Sequence, residues 1–585
     1  KMVPLEQLHL SHVLQAVSAL ESIVLRSFGP EGGQVLFTRD TGQVMVSRSG
    51  KRILTALHLD HPLARMVVRC VWKHSTITGD GSKTFVLLLA SLLRIIHATA
   101  TKDPHMFQPH NSTEASEAAT ARHLADRLLE FALTELDKLI VLNVLPHGFR
   151  VSLENFTAKT QHDLSCQTLL VSFFRTRLGY AYCDFFRNLF CELLSHWKVK
   201  DDRPSFSMQF LNNSFLALHT QVSGVPVSCS RLIEGQVIHR DFATPCPQVR
   251  KQPLKGDVLE LRCGDKVTED RGIVHFSSWT EKSVESIIAT LQSFGVSVLL
   301  CALKQSSAVL AAATQAGMCL VECVSEEEIS LFTQLSGVTP ISDCRRIHPE
   351  HIATLTFCKP LLLGAHRRIS SIVIYCTTFC LVICAPSEGQ ADQHACAFQD
   401  AFRMLLTALE PVRKTQTALE ETIPSKKCTS LHADNKCVTE TGCVISAGGT
   451  FEFLLHHALH QYGHSCSVSV NLLEKALLSV PRQIYSHNLK HFLQAQTRVV
   501  ALIPKQPHAL SANFIHTEGP LGDGKLLDLG LESVSCKYQL VLAVLQCLTN
   551  LLRINMVLRT HAVLHTESHD SLNAHSESSE GEDED

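Results

Sequence analysis

Thr78-Gly-Asp-Gly-Ser-Lys-Thr84 runs directly into Phe85-Val-Leu-Leu-Leu-Ala-Ser-Leu-Leu93. A glycine-flanked turn before an apolar helix is one way in which proteins hold phosphate, because free N–H groups and the positive end of the helix dipole face an anion. The P-loop pattern requires Gly immediately before Lys-Thr and another Gly five residues further back. Here Ser82 precedes Lys83 and the outer position is Ile77, so the pattern fails twice. What remains is a short turn carrying one carboxylate, Asp80, at an expected helix start. That carboxylate suits a hard cation such as Mg²⁺, which takes oxygen ligands and shares phosphate oxygens. The plainer alternative is that Asp80 and Ser82 cap a helix.

At 585 residues the chain is too long for one ordinary core, so several domains are expected. Its 45% apolar and 19% charged residues fit a soluble globular protein. Net charge is −3, with no basic stripe, so nucleic acid is not an expected partner. The 22 cysteines include no CxxC pair and no signal peptide precedes them, which points to reduced, buried thiols in a cytosolic or nuclear setting. Two apolar runs are candidates for membrane spans. The run at 84–93 is broken by Arg94 after about ten residues, too short to cross. The run Ser370–Ala385 is rich in β-branched residues and stops at Pro386, which reads as two buried strands. No membrane span is expected.

Working outward, residues 7–27 read as an amphipathic helix on Leu8, Val13, Leu14, Val17 and Leu20. A turn, two short strands joined by Asp40-Thr-Gly42 and a further turn at Ser49-Gly50 follow. Helices are expected at 61–76, 83–99 and 116–141, with a loop at 101–115. From about 215 to 375, strand-like pieces alternate with helices, and the run from Val284 to Gly337 reads helix, strand, helix, strand, helix. That is an α/β unit with a parallel sheet. From about 395 the chain is helical again. A polar stretch at 413–441 reads as a loose insertion. The acidic tail at 561–585, with Ser576, Ser578 and Ser579 among acids, reads as disordered.

Several weak signals gain force from their order. They are Phe28-Gly-Pro-Glu-Gly32, Gly50, Gly79-Asp-Gly81, Asp400 in Phe398-Gln-Asp-Ala-Phe402, and Ala447-Gly-Gly449 followed by Glu452. Taken together with their flanks, they resemble a group II chaperonin subunit of the TCP-1/cpn60 family, the class of the cytosolic chaperonin and the thermosome. "SFGPEGGQVL" is similar to that family's L-G-P-K-G turn, and "VSRSGKRIL" stands where it has T-N-D-G-A-T-I-L. "LDHPLARMVV" stands for V-E-H-P-A-A-K, and "GDGSKT" for G-D-G-T-T-S. "FQDAF" falls at L-H-D-A-L, "SAGGTFEF" at P-G-G-G-A-x-E, and "LLRIN" at L-R-I-D-D. The resemblance covers about 560 residues in order. Two stretches, 29–71 and 535–557, look closest to the divergent chaperonin-like proteins of Bardet–Biedl syndrome.

The resemblance implies a multidomain α+β fold. A helical equatorial domain would combine 1–146 with 406–560, a small α/β intermediate domain would combine 147–215 with 371–405, and an α/β apical domain would span 216–370. It also implies ATP and Mg²⁺ as cofactors. The nucleotide would lie against Gly29, Pro30, Gly50, Gly79, Asp80, Gly81, Ser82, Lys83, Thr84, Gly448 and Gly449, with Asp80 holding the Mg²⁺. In the family, two further aspartates orient the attacking water, which suits hydrolysis beside a neutralised phosphate. One of them corresponds to Asp400, the candidate catalytic residue. The other is replaced by Ser49, which is no base, and Lys83 replaces a small hydroxyl residue. Nucleotide binding is therefore expected, with at most weak ATPase activity.

Function by resemblance is that of a chaperonin-like assembly factor. Its expected partners are other chaperonin-like Bardet–Biedl proteins and the cytosolic chaperonin, and its expected clients are BBSome subunits. It would work in the cytoplasm, at the centrosome or ciliary basal body and the cilium. The alternative is a structural interaction protein with a degenerate ATP pocket. Three other features read as structural. His456, His460 and His464 form a polar helix face, with no carboxylate placed to complete a metal site. Cys376, Cys380 and Cys384 lie on one sheet face as buried thiols, and Cys319 with Cys323 is read the same way.

Overall fold

The computed structural model describes residues 5–38, 42, 44–102, 113–152, 161–197, 204–244, 254–258, 284–341, 347–355, 358–362, 370–412, 441–463, 468–503 and 530–558. Strand β1 (Leu5–Gln7) leads into α1 (Leu10–Leu25), the hairpin β2 (Val35–Thr38) and β3 (Val44–Ser47), and α2 (Gly50–Thr55). Helices α3 (Pro62–Thr78), α4 (Ser82–Lys102), α5 (Thr113–Thr134) and α6 (Leu136–Asn143) follow. Local chemistry sets the bounds of α3. Pro62 occupies its first turn, where the missing N–H costs nothing. The His61 ring accepts from Leu63 N at 3.2 Å, and Gly79 ends the helix in the left-handed region.

The chain then passes through β4 (Phe149–Ser152), α7 (Gln161–Leu178), α8 (Cys183–His196), α9 (Pro204–Asn213) and α10 (Phe215–Leu218). Strands β5 (His219–Ser223), β6 (Arg231–Ile238) and β7 (Leu254–Val258) precede helix α11 at 284–293 and β8 (Val296–Leu300). Next come α12 (Ser307–Gln315), β9 (Cys319–Val321), α13 (Glu326–Ser336), β10 (Ile352–Leu355), β11 (Cys358–Leu362), β12 (Ser370–Ala385) and α14 (Glu388–Leu409). The last part holds β13 (Thr441–Ser446), α15 (Thr450–Gly463), α16 (Val468–Leu477), α17 (Ser479–Ile484), α18 (Leu489–Leu502), β14 (Leu531–Ser533), α19 (Val534–Leu552) and β15 (Met556–Leu558).

The two ends of the chain share one core. Its apolar cluster runs from Val13 to Val144 and resumes from Ile445 to Leu552. β1 pairs antiparallel with β15, Leu5 opposite Leu558. The described residues between them pack into further clusters. One cluster gathers α7, α8, β12 and α14 around Phe174, Phe190, Phe398 and Phe402. Two smaller clusters flank the sheet β10-β7-β8-β9, in which β7–β8 and β8–β9 are parallel. Helix α13 opens on a reciprocal cap, Ser325 with Glu328, which satisfies two N–H groups that the helix start would otherwise leave open. The molecule is thus a mainly helical α+β structure with an α/β unit in its middle.

Four expectations need correction. The apolar run at Ser370–Ala385 is one strand, not two: β12 pairs antiparallel with β6 on both sides of a register shift between Ile374 and Phe379. The helix expected at 116–141 is two, α5 and α6, and the first begins at Thr113. The loop expected at 101–115 shrinks accordingly, and 103–112 lie outside the described residues. Arg94 does not end the apolar run in structure. Helix α4 continues for 21 residues and is long and apolar enough, by composition, to cross a membrane. It is instead packed inside the core, and Arg94 makes a two-pronged ion pair with Glu21 of α1, at 2.5 and 2.7 Å.

Candidate functional site

The turn Gly79-Asp80-Gly81 joins α3 to α4 and is pressed against α14. A Cβ on Gly79 would lie 2.0 Å from the Asp400 carbonyl oxygen, so the turn and α14 touch backbone to backbone. Its φ of 68° is one that L side chains rarely adopt. Asp80 keeps its carboxylate half-exposed, at 54%. Neither proposed cap is made by the bonds seen. Asp80 Oδ1 accepts from Arg177 at 3.1 Å, and Ser82 Oγ accepts from Lys51 N at 3.1 Å.

Lys83 ties the glycine motifs together. Its Nζ donates to the carbonyl of Ser27, the residue that opens the Phe28-Gly-Pro-Glu turn. A Cβ on Gly50 would lie 2.6 Å from Lys83 Cγ, so the lysine stem runs across the start of α2. Burial, with Arg177 and Arg48 nearby, pulls the Lys83 ammonium down to about 7, against the pull of Asp80. Gly29 and Pro30 sit exposed at the tip of the turn, with the Gly32 N–H donating to Gly29 O at 3.2 Å. Thr84 is half-buried in the first turn of α4.

Behind the turn lies a cavity of about 10 Å³, lined by Ser49, Arg52, Arg177, Gln393, Cys396 and Asp400 among others. That is room for one water. Ser49 and Asp400, at the two positions where the resembled family has water-orienting aspartates, both line this water-sized space. Asp400 is buried and hydrogen-bonded by Arg403 at 3.1 Å. Burial raises its carboxyl above the ordinary range, and Arg177, Lys51 and Arg403 oppose that shift. Ser49 Oγ, Arg48 Nε and Arg52 Nη1 are buried without a hydrogen-bond partner among the described residues. Arg52 pairs with Asp392 through its other nitrogen. Burial likewise lowers the Lys51 ammonium. The region is rich in cations, and three of its donor atoms are unused.

The C-terminal glycines stand beside a buried ionic group of their own. Gly448 and Gly449 precede α15, whose Glu452 is 2% exposed. Lys537 Nζ bridges Glu452 Oε1 at 2.8 Å and Glu532 Oε2 at 3.1 Å. Burial raises the Glu532 carboxyl, and the charge of Asp80 adds to the shift. Tyr485 Oη donates to Gly448 O at 3.1 Å, and Glu532 acts on that phenol too. Arg177 had no distinctive signal in the sequence: it is one of two arginines in the last turn of α7. Only folding brings it to Asp80, 97 residues away along the chain.

The other motifs resolve differently. A carboxylate does stand by the histidine stripe, contrary to expectation. Glu474 of α16 meets His460 Nδ1 at 3.0 Å and lies 3.8 Å from His456 Nδ1. Two helices packed side by side supply what one sequence stripe lacked, yet no group of three or more ligands able to hold a metal occurs among the described residues. His464 lies outside them. Cys380 and Cys384 are buried in β12, and the side chain of Cys376 is outside the described set. Cys319 is buried in β9, but Cys323 is exposed, at the turn before α13, where φ is 53°. The chain leaves the sheet there, so the thiol faces solvent. The stretch 413–440 and the tail with Ser576, Ser578 and Ser579 also lie outside the described residues.

Residues 20–146, which hold the first three glycine turns, match the model of the TCP-1/cpn60 chaperonin family. The chain is 28% identical to BBSome complex assembly protein BBS10 of Pongo abelii, in an alignment covering 97% of this chain and 98% of that one. It is 31% identical to the protein of that name from Mus musculus, over 67% of this chain and 57% of the other. At 20% identity, thermosome subunit alpha of Archaeoglobus fulgidus aligns with 68% of this chain and 69% of its own length. With the family model lying over the glycine turns that converge on Lys83, and with these relatives aligned along most of its length, the chain is a divergent relative of the TCP-1/cpn60 chaperonins.

Proposed function

We propose that this protein is a chaperonin-like assembly factor that takes Mg²⁺ and ATP at the turn Gly79–Thr84 and helps to assemble a BBSome-type coat complex. It works with other chaperonin-like Bardet–Biedl proteins and the cytosolic chaperonin, in the cytoplasm and at the ciliary base. The observation that carries the reading is the meeting of the Phe28 turn, Gly50 and the Gly79 turn around Lys83. In this reading the joint core of the two chain ends is the equatorial domain. The cluster around Phe398 is the intermediate domain, and the β10-β7-β8-β9 sheet with its helices is the apical domain.

The donor set fits a Mg²⁺–phosphate group. Asp80 offers one half-exposed carboxylate, and Mg²⁺ commonly takes one or two carboxylates and completes its shell with phosphate oxygens and water. Lys83, Lys51 and Arg48 supply positive charge for phosphate, and the buried Arg48 Nε still lacks an acceptor. When bound, the metal neutralises phosphate charge. Asp400 is left as the single carboxylate beside the water-sized cavity, which makes turnover slow.

A second reading is supported by Arg177, whose guanidinium already sits on Asp80 and Gly79 O. If that contact is permanent, the pocket is degenerate and the protein acts without nucleotide. Titrating the purified chain with a fluorescent ATP analogue, with and without Mg²⁺, separates the two. Mg²⁺-dependent binding that Asp80→Ala weakens supports the nucleotide reading, and no binding supports the other. Co-precipitation of BBSome subunits and the cytosolic chaperonin tests the assembly role, and their absence from ciliated-cell precipitates would overturn it.

A further inference from the structure

Helix α3 turns a basic face to solvent. Arg65, Arg69 and Lys73 recur at four-residue spacing, so they stand one above the other, and all three are exposed. Trp72, 47% exposed, lies among them, and Ile77 is exposed one turn further on. No acidic residue occurs between Pro62 and Thr78. The packed neighbour α19 carries no charged residue between Lys537 and Arg553. Arg65 donates to the carbonyl of Asp60 at 3.1 Å, and no carboxylate pairs with Arg65, Arg69 or Lys73 among the described residues. A net charge of −3 conceals this face in the sequence as a whole. The chain also supplies a counterpart. Six of the nine residues from Glu577 to Asp585 are acidic, and no Lys or Arg occurs between Thr560 and Asp585.

We propose that the acidic segment 577–585 docks on this face of α3, its carboxylates against Arg65, Arg69 and Lys73. The topology brings the two within reach. The start of α19 lies at the end of α3, where a Cβ on Gly81 would meet the Leu540 side chain at 2.9 Å. The two helices pack along each other, so they run antiparallel, and the end of α19 lies by the start of α3. Strand β15 follows there, and its pairing with β1 fixes Leu558 at that end. Glu577 is nineteen residues beyond Leu558. A flexible chain of that length spans about 25 Å, which is about the length of the 17-residue α3. Exposed ion pairs are individually worth little, but the tether holds the acids near the face at an effective concentration of about millimolar. Several weak pairs then act together without a fixed fold, and salt should release them. Docked there, the segment covers Trp72 and closes the face to acidic segments of other chains.

The test uses the full chain, dilute and at low ionic strength, treated with a carbodiimide that joins an amine to a touching carboxylate without a spacer. After digestion, mass spectrometry should find Lys73 linked to a carboxylate within 577–585, in protein that still runs as a monomer on a denaturing gel. In about 1 M NaCl, where the Debye length is about 3 Å, the link should fall several-fold. Arg69→Gln should also lower it several-fold while leaving Lys73 available. Trp72 gives a second readout that needs no crosslink. Acrylamide quenching of its fluorescence, taken as the difference between the parent and Trp72→Phe, should rise when salt releases the segment. Links from 577–585 that fall on other lysines and spare Lys73 overturn the proposal. So does a Lys73 link found only in dimers, which makes the occupant a second copy, or quenching of Trp72 that salt leaves unchanged.

Discussion

Arg177, at the end of α7, donates to Asp80 Oδ1 at 3.1 Å and, with the same nitrogen, to Gly79 O at 2.7 Å. An arginine from the inserted part of the chain thus closes over the turn that the sequence marks as the metal site. Its side chain is 7% exposed, so its charge is held largely out of solvent. Arg177→Met should lower the unfolding free energy by about 1–3 kcal/mol, because the Gly79 carbonyl loses its donor while half-exposed Asp80 is rehydrated. Urea denaturation reads this. The same variant should lower the Mg²⁺ concentration for half-saturation of ATP binding, since the metal no longer competes with a guanidinium. An unchanged Mg²⁺ requirement would separate Arg177 from the metal position.

Gly79→Ala should cost far more than Gly29→Ala. Both glycines have positive φ, a conformation that costs a side chain about 1–2 kcal/mol. At Gly79 the new Cβ also meets the Asp400 carbonyl at 2.0 Å, whereas at Gly29 nothing lies within 4 Å. Overpacking adds about 1–3 kcal/mol at Gly79 alone. Similar melting temperatures for the two variants would mean that α14 does not hold the turn.

ATP affinity should fall as pH rises above about 7, where burial has set the Lys83 ammonium. The sign follows from linkage. Phosphate favours the charged lysine, so affinity is full below the pKa of the free protein and is lost as pH rises from that value to the higher pKa of the complex. Lys83→Met should bind more weakly at pH 6 and show a flatter profile. Parallel profiles in parent and variant would place Lys83 away from the phosphate and leave it as the tie to Ser27.

Ser49→Asp should raise ATP turnover with little change in affinity. A positioned base contributes about 10²–10⁴-fold, and Ser49 and Asp400 line one cavity of water size. The gain should disappear when Asp400→Ala is added. Arg52, whose Nη1 has no partner among the described residues, is the competitor for the new carboxylate. A parent rate already equal to that of an ordinary chaperonin subunit would refute the idea, and an unresponsive Ser49→Asp would favour a binding pocket without turnover.

What the sequence determined by itself is local, or is carried by the order of motifs. Apolar periodicity marked α1, α3 and α4, and the hairpin β2–β3 followed from two short strand patterns around a glycine turn. Alternation marked the parallel unit from α11 to α13. The order of the glycine turns points to the family without reference to any contact between them. These are properties of a few neighbouring residues, whose backbone preferences and burial pattern act over one or two turns. Tertiary structure decided the rest. The tie from Lys83 to Ser27, the arrival of Arg177 at Asp80, and Glu474 beside His456 and His460 all join residues from separate elements. No periodicity encodes which side chains meet when helices from the two ends close on one core. That β12 is one strand was equally hidden, because its pairing with β6 on both sides of a register shift, and not its own composition, makes it one. Charge at the site belongs to this second class too. Lys83 is an ordinary lysine in sequence, and only burial beside Arg177 and Arg48 brings its ammonium near neutrality.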